Sequence, residues 1–107
     1  MRPIDDTAIR EAVERLHAAA PGSIVILFGS RARGDYGPES DADFLVIEPE
    51  VTARRDEVVR LLDALRPMRI PADVLVASAD VFEKWCDTPG TVYHEAKLEG
   101  RVFHAPQ

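Results

Sequence analysis

The chain has 107 residues, 46% of them hydrophobic and 30% charged, with a formal charge of −6. That length corresponds to a single domain, residues 1–107, built on one core, and the composition excludes collagen-like, low-complexity and disordered classes. The negative balance argues against broad binding to nucleic acid, which needs clustered Lys and Arg, although it leaves room for a local basic patch.

The longest uninterrupted aliphatic and aromatic run, Ile24 to Phe28, is far short of the ~20 residues that span a bilayer, so no membrane helix is expected. Met1-Arg2-Pro3 leads into an acidic stretch without the apolar segment of a secretory leader, and the single Cys86 has no partner for an internal disulfide. The expected compartment is the cytoplasm.

Between Ile4 and Ala20, Ile9, Val13 and Leu16 recur at helical spacing, with Asp6 or Thr7 as N-cap and Pro21-Gly22 as the stop. Ser23 to Phe28 is short, β-branched and apolar on both parities, which predicts a central strand covered on both faces. Gly29 to Ser40 is polar and glycine-bearing, a loop that opens with a helical turn. Asp41 to Ile47 resumes strand character, acidic at its beginning and apolar at its end. Val58, Leu61, Leu62 and Leu65 form one stripe of a helix from Val51 to Arg66, ended by Pro67. Ile70 to Val76 reads as a third strand, followed by a short helix through Trp85 capped by Ser78 or Asp80. Thr91 to Leu98 predicts a last helix stopped by Gly100, and Val102 to His104 a short edge strand.

Chemistry concentrates around the second element. Gly29-Ser30 directly follows the buried strand, and after ten intervening residues come Asp41 and Asp43, spaced i, i+2 at a strand entry. Strand geometry aims both carboxylates from one face, and two anions at one point call for a cation between them. Asp73 holds the equivalent entry position of the third strand, so a third carboxylate joins them if the two strands are neighbours. Three carboxylates beside a strand–glycine–serine turn suit oxygen-ligated Mg²⁺, which completes its shell with water and substrate phosphates, and two such ions ~3.5–4 Å apart suit phosphoryl chemistry. The backbone N–H groups of Ser30 and Arg31 are placed to meet phosphate oxygens. Against this stand plainer roles: surface turn aspartates, and an Arg33 that merely pairs with Asp35 or Glu39. His17, His94 and His104 lack metal-ligand spacing, and Cys86 beside Trp85 reads as packing.

The run GSRARGDYGPESDADFLVI, with Asp73 on a later strand and the closing EAKLEGRVFH, resembles the minimal nucleotidyltransferases of the DNA polymerase β superfamily. The resemblance covers nearly the whole chain. It implies an α+β nucleotidyltransferase fold, a mixed β-sheet packed with helices, in agreement with the element pattern. It further implies transfer of AMP from ATP to a hydroxyl with release of pyrophosphate. By the same analogy Gly29 and Ser30 hold the β- and γ-phosphates, Asp41 and Asp43 ligate two Mg²⁺ ions, Asp73 ligates the catalytic ion and accepts the proton, and Arg33 or Arg31 steadies the triphosphate. The larger members carry a further domain that grips the acceptor, for which this sequence leaves no length. The implied companion is a HEPN-domain RNase toxin, modified on a tyrosine, with this protein as its antitoxin. Two alternatives stay open: a nucleotidyltransferase for an aminoglycoside-type small molecule, its site completed by a homo-oligomer, and a non-catalytic antitoxin that neutralises by binding alone.

Overall fold

A computed structural model of the chain describes residues 3–104; Met1 and Arg2, read above for a leader, lie outside the described residues. Helix α1 (Asp6–Ala19) begins one residue earlier than the sequence suggests, because the Asp5 carboxylate accepts the Ala8 N–H at 2.8 Å and serves as N-cap in place of Asp6 or Thr7. Its Ala8, Ile9, Ala12, Val13 and Leu16 are buried along one stripe. Strand β1 (Ile24–Phe28) follows, then one helical turn, α2 (Ser30–Arg33), and strand β2 (Ala42–Glu48). Helix α3 (Arg54–Leu65) starts three residues later than Val51, since Ala53 at its N-cap offers no side-chain acceptor and Val51 packs on the core from the entry loop. Pro67 does not stop the chain sharply; it sits in a 3-10 turn, Arg66–Met68, whose early positions need no N–H donor. Strand β3 (Ala72–Ser78), helices α4 (Ala79–Trp85) and α5 (Val92–Glu99) and strand β4 (Arg101–Phe103) complete the order. Ser78 and Thr91 cap α4 and α5 by accepting the N–H groups of Val81 and His94.

The strands form one mixed sheet in the order β3-β2-β1-β4, with β1 antiparallel to both β2 and β4 and β2 parallel to β3. Alternation sorts the side chains onto two faces. Val25 and Leu27 of β1, Ala42, Phe44 and Val46 of β2, and Val74 and Val76 of β3 meet α1 and α3. Ile26 and Phe28, Leu45 and Ile47, and Ala77 turn the other way, toward Phe82 of α4 and Val92, Tyr93 and Ala96 of α5. Both faces are therefore covered, which is why β1 and β2 read as continuous apolar runs. Among the described residues no helix is long and apolar enough to cross a membrane.

Glu48 continues the parity of Phe44 and Val46, so its carboxyl turns to α3, where it hydrogen-bonds Glu57 and leaves Oε2 buried without a partner. Burial first, and the bond to Glu57 second, push Glu48 up to about 7, while Arg60, bonded to Glu57 at 2.7 and 2.8 Å, holds Glu57 below the usual carboxylate range. A carboxyl whose folded pKa is raised stabilises the fold below its unfolded pKa and loses that contribution as pH climbs through the folded value. The wild-type protein should thus lose stability as pH rises from about 4.5 through about 7. Glu48→Gln keeps a donor for Glu57 and carries no charge. It should flatten that slope and raise stability at pH 8 by about 1 kcal/mol, or ~4–8 °C in Tm. Parallel Tm–pH curves for the two proteins would contradict this reading.

Candidate active site

The end of the sheet opposite Glu48 is built by three strand ends. Asp43 lies across from Phe28 in the β1–β2 register and level with Asp73 in the parallel β2–β3 register. Alternation sets both carboxylates on the α5 face, the parity of Leu45 and Ala77, and Asp41 shares the parity of Asp43 just ahead of β2. The strand that carries Asp73 is the direct neighbour of the one carrying Asp43, which sets these two residues side by side.

Gly29 joins β1 to α2 at φ 74° and ψ −159°, a left-handed conformation that side chains avoid. A Cβ there would stand 2.5 Å from Asp43 Oδ2, so glycine is required by space as well as by backbone. The α2 turn closes on Gly29, whose carbonyl accepts the N–H groups of Ala32 and Arg33, each at 3.1 Å. The first N–H groups of such a turn have no acceptor within it.

Asp43 is raised above the usual carboxylate range, chiefly by burial, then by the like charges of Asp73, Asp41 and Glu95, with Arg33 opposing. A carboxylate strained by its neighbours in this way is relieved by a cation. Among the described residues no three His, Cys, Asp or Glu side chains converge into a ready-made metal cage. The donor set fits Mg²⁺ of the kind held by one or two carboxylates and completed by substrate oxygens, rather than an ion caged by protein alone.

The two arginines separate. Arg31 donates to the Ser40 carbonyl at 2.9 and 3.2 Å and to the Ile4 carbonyl at 3.2 Å, and its guanidinium lies 4.2 Å over the Tyr36 ring. Those bonds fasten the loop immediately before Asp41, so Arg31 is occupied in holding a carboxylate in place. Arg33 stands at the rim, 3.3 Å from Asp35, 3.4 Å from Glu99 and 4.0 Å from Glu95. Its pairing with Asp35 matches the plainer role considered from sequence.

A family model for the nucleotidyltransferase domain matches residues 7–98, a span that contains Gly29, Ser30, Arg31, Arg33, Asp41, Asp43 and Asp73. The chain belongs to the nucleotidyltransferase family. It is 49% identical over 104 residues to a Methanocaldococcus jannaschii protein that carries the name "Putative protein adenylyltransferase", covering 94% of this chain and 98% of that one. Among solved structures, a Sulfolobus solfataricus protein described as a nucleotidyltransferase superposes with TM-score 0.64 at 24% identity, over 91% of this chain and 77% of that chain. A toxin–antitoxin structure with AMP-PNP gives 0.59 at 17% identity, over 97% and 76%. These two likenesses establish the nucleotidyltransferase fold.

Beside these carboxylates the fold also brings two residues that the sequence pattern does not single out, Glu95 and Glu99, both against Arg33. Helical spacing i, i+4 put them on one face of α5, but nothing local says which face meets the site. That is decided by Ala96, buried on β1, and by Gly100, where a Cβ would collide with the Ala96 carbonyl and Ile26. Close packing of α5 on β1 turns both glutamates toward Arg33.

Proposed function

We propose that this nucleotidyltransferase transfers AMP from ATP, with Mg²⁺, to a tyrosine hydroxyl of a HEPN-domain RNase toxin and acts as its antitoxin. The observation that carries the chemistry is the carboxylate of Asp43, wedged against Gly29 and level with Asp73. Support for a protein acceptor comes from the name of the 49% identical relative, and support for the toxin setting from structural neighbours that are toxin–antitoxin complexes.

In this reading Gly29 leaves room for the triphosphate, and the backbone N–H groups of Ser30 and Arg31 with the Ser30 hydroxyl bind its outer phosphates. Asp41 and Asp43 hold divalent cation, which when bound neutralises charge on the phosphates and the leaving group. Asp73 takes the proton of the attacking hydroxyl. The acceptor oxygen bonds to the α-phosphorus as the bond from that phosphorus to the bridging oxygen breaks, and pyrophosphate departs. Arg33 exchanges its carboxylate partners for phosphate oxygens. Arg31 acts through Asp41, by fixing Ser40.

The test is to incubate the protein with a HEPN-domain RNase encoded by a neighbouring gene, ATP and Mg²⁺, and to measure intact masses and RNase activity. A gain of one or more AMP units on a tyrosine, together with loss of RNase activity, is expected. RNase suppression without mass change would favour neutralisation by binding alone, and label on an added aminoglycoside would favour a small-molecule acceptor.

A further inference from the structure

Helix α5 contacts the sheet through Val92, Tyr93 and Ala96. Leu98, two residues beyond Ala96, is consequently rotated to the opposite side, and at 68% exposure it is the most exposed large hydrophobic among the described residues. It does not stand alone. Together with Thr91, Val92, His94, Glu95 and Glu99 it lines a cleft of about 450 Å³ running along the helix. Exposed apolar surface set in a concavity and rimmed by polar groups is a recurrent mark of a docking site.

Two features say what would dock. One is position: the cleft shares Glu95 and Glu99 with the active site, where they hold Arg33 at 4.0 and 3.4 Å, so an occupant lies beside the reacting end of the sheet. The other is charge. The rim carries Asp35, Glu95 and Glu99 around a single guanidinium, and the adjoining strand ends add Asp41, Asp43 and Asp73. Lys97 is drawn away into an ion pair with Asp87. The excess is negative, and the complementary partner is cationic.

We infer that the α5 cleft is the docking groove for the acceptor protein, taking a basic segment whose apolar side chain covers Leu98 and whose Lys or Arg faces Glu95 and Glu99. This rests on the reading that the acceptor is a protein. A groove beside the carboxylates orients the hydroxyl, and orientation removes much of the entropic barrier to transfer.

Leu98→Asp and the milder Leu98→Ala test it, since an exposed side chain can be replaced without loss of the fold. The acceptor used is the neighbouring-gene product at saturating ATP and Mg²⁺. Leu98→Asp should raise KM for that protein at least tenfold, Leu98→Ala less, with kcat changed by no more than about twofold, and the wild-type KM should rise with salt. The thermal shift given by ATP with Mg²⁺ should be kept in both variants, showing an intact nucleotide site. A KM within twofold of wild type in Leu98→Asp overturns the groove while leaving the protein-acceptor reading standing. Failure of the wild-type protein itself to label the neighbour, with its nucleotide shift intact, overturns that reading and the groove with it.

Discussion

Asp43→Asn should lower nucleotidyl transfer by about 10³-fold or more while the protein stays folded and, without metal, becomes as stable as wild type or more so. The two effects share a cause. Asp43 is raised above its ordinary range by burial and by Asp73, Asp41 and Glu95, so its ionised form is costly in the folded state. The sign follows from linkage: the contribution is favourable below the unfolded pKa and disappears as pH rises through the folded one. The asparagine variant should therefore gain on wild type toward neutral pH and converge with it in acid. Melting curves in chelator across pH, beside a transfer assay, check both halves. Transfer near the wild-type rate would remove Asp43 from the chemistry.

Gly29→Ala should be damaging for a different reason. At φ 74° alanine is strained, and its Cβ would meet Asp43 Oδ2 at 2.5 Å, so the backbone or the carboxylate must move. A loss of about 1–3 kcal/mol in stability is expected, with transfer down about 10²-fold because a displaced carboxylate no longer meets its partners. Gly22→Ala supplies the control. Gly22 has φ 81° but nothing within 4 Å of a Cβ, so it should lose only about 1 kcal/mol and keep its transfer rate. Equal effects at the two positions would mean that strain alone is at work.

Much of this architecture is legible in the sequence. Periodicity located the helices and strands because both faces of β1 and β2 are buried, and period-two alternation put Asp41 and Asp43 on one side. Asp73 could be placed only conditionally, since strand order is not local; the parallel β2–β3 register supplies the missing fact. Cap positions slipped where two acidic residues compete, and Asp5 wins by reaching the Ala8 N–H. The different roles of Arg31 and Arg33 are not encoded locally. Both lie in a single helical turn, and the carbonyls of Ser40 and Ile4 and the carboxylates of Glu95 and Glu99 that divide them come from elsewhere in the chain.

The central claim is that the ends of β1, β2 and β3 form one site for nucleotide and divalent cation together. The most direct test is the melting temperature of the isolated protein with Mg²⁺ alone, ATP alone, and both, for wild type, Ser30→Ala and Asp43→Asn. A ligand at a hundredfold excess over its Kd stabilises by about 2.7 kcal/mol, a shift easily read in a domain of this size. The wild-type shift with both ligands should exceed the sum of the separate shifts, Ser30→Ala should reduce that excess, and Asp43→Asn should abolish it. An equal response to ATP with and without Mg²⁺, or a full cooperative shift in Asp43→Asn, would contradict the account.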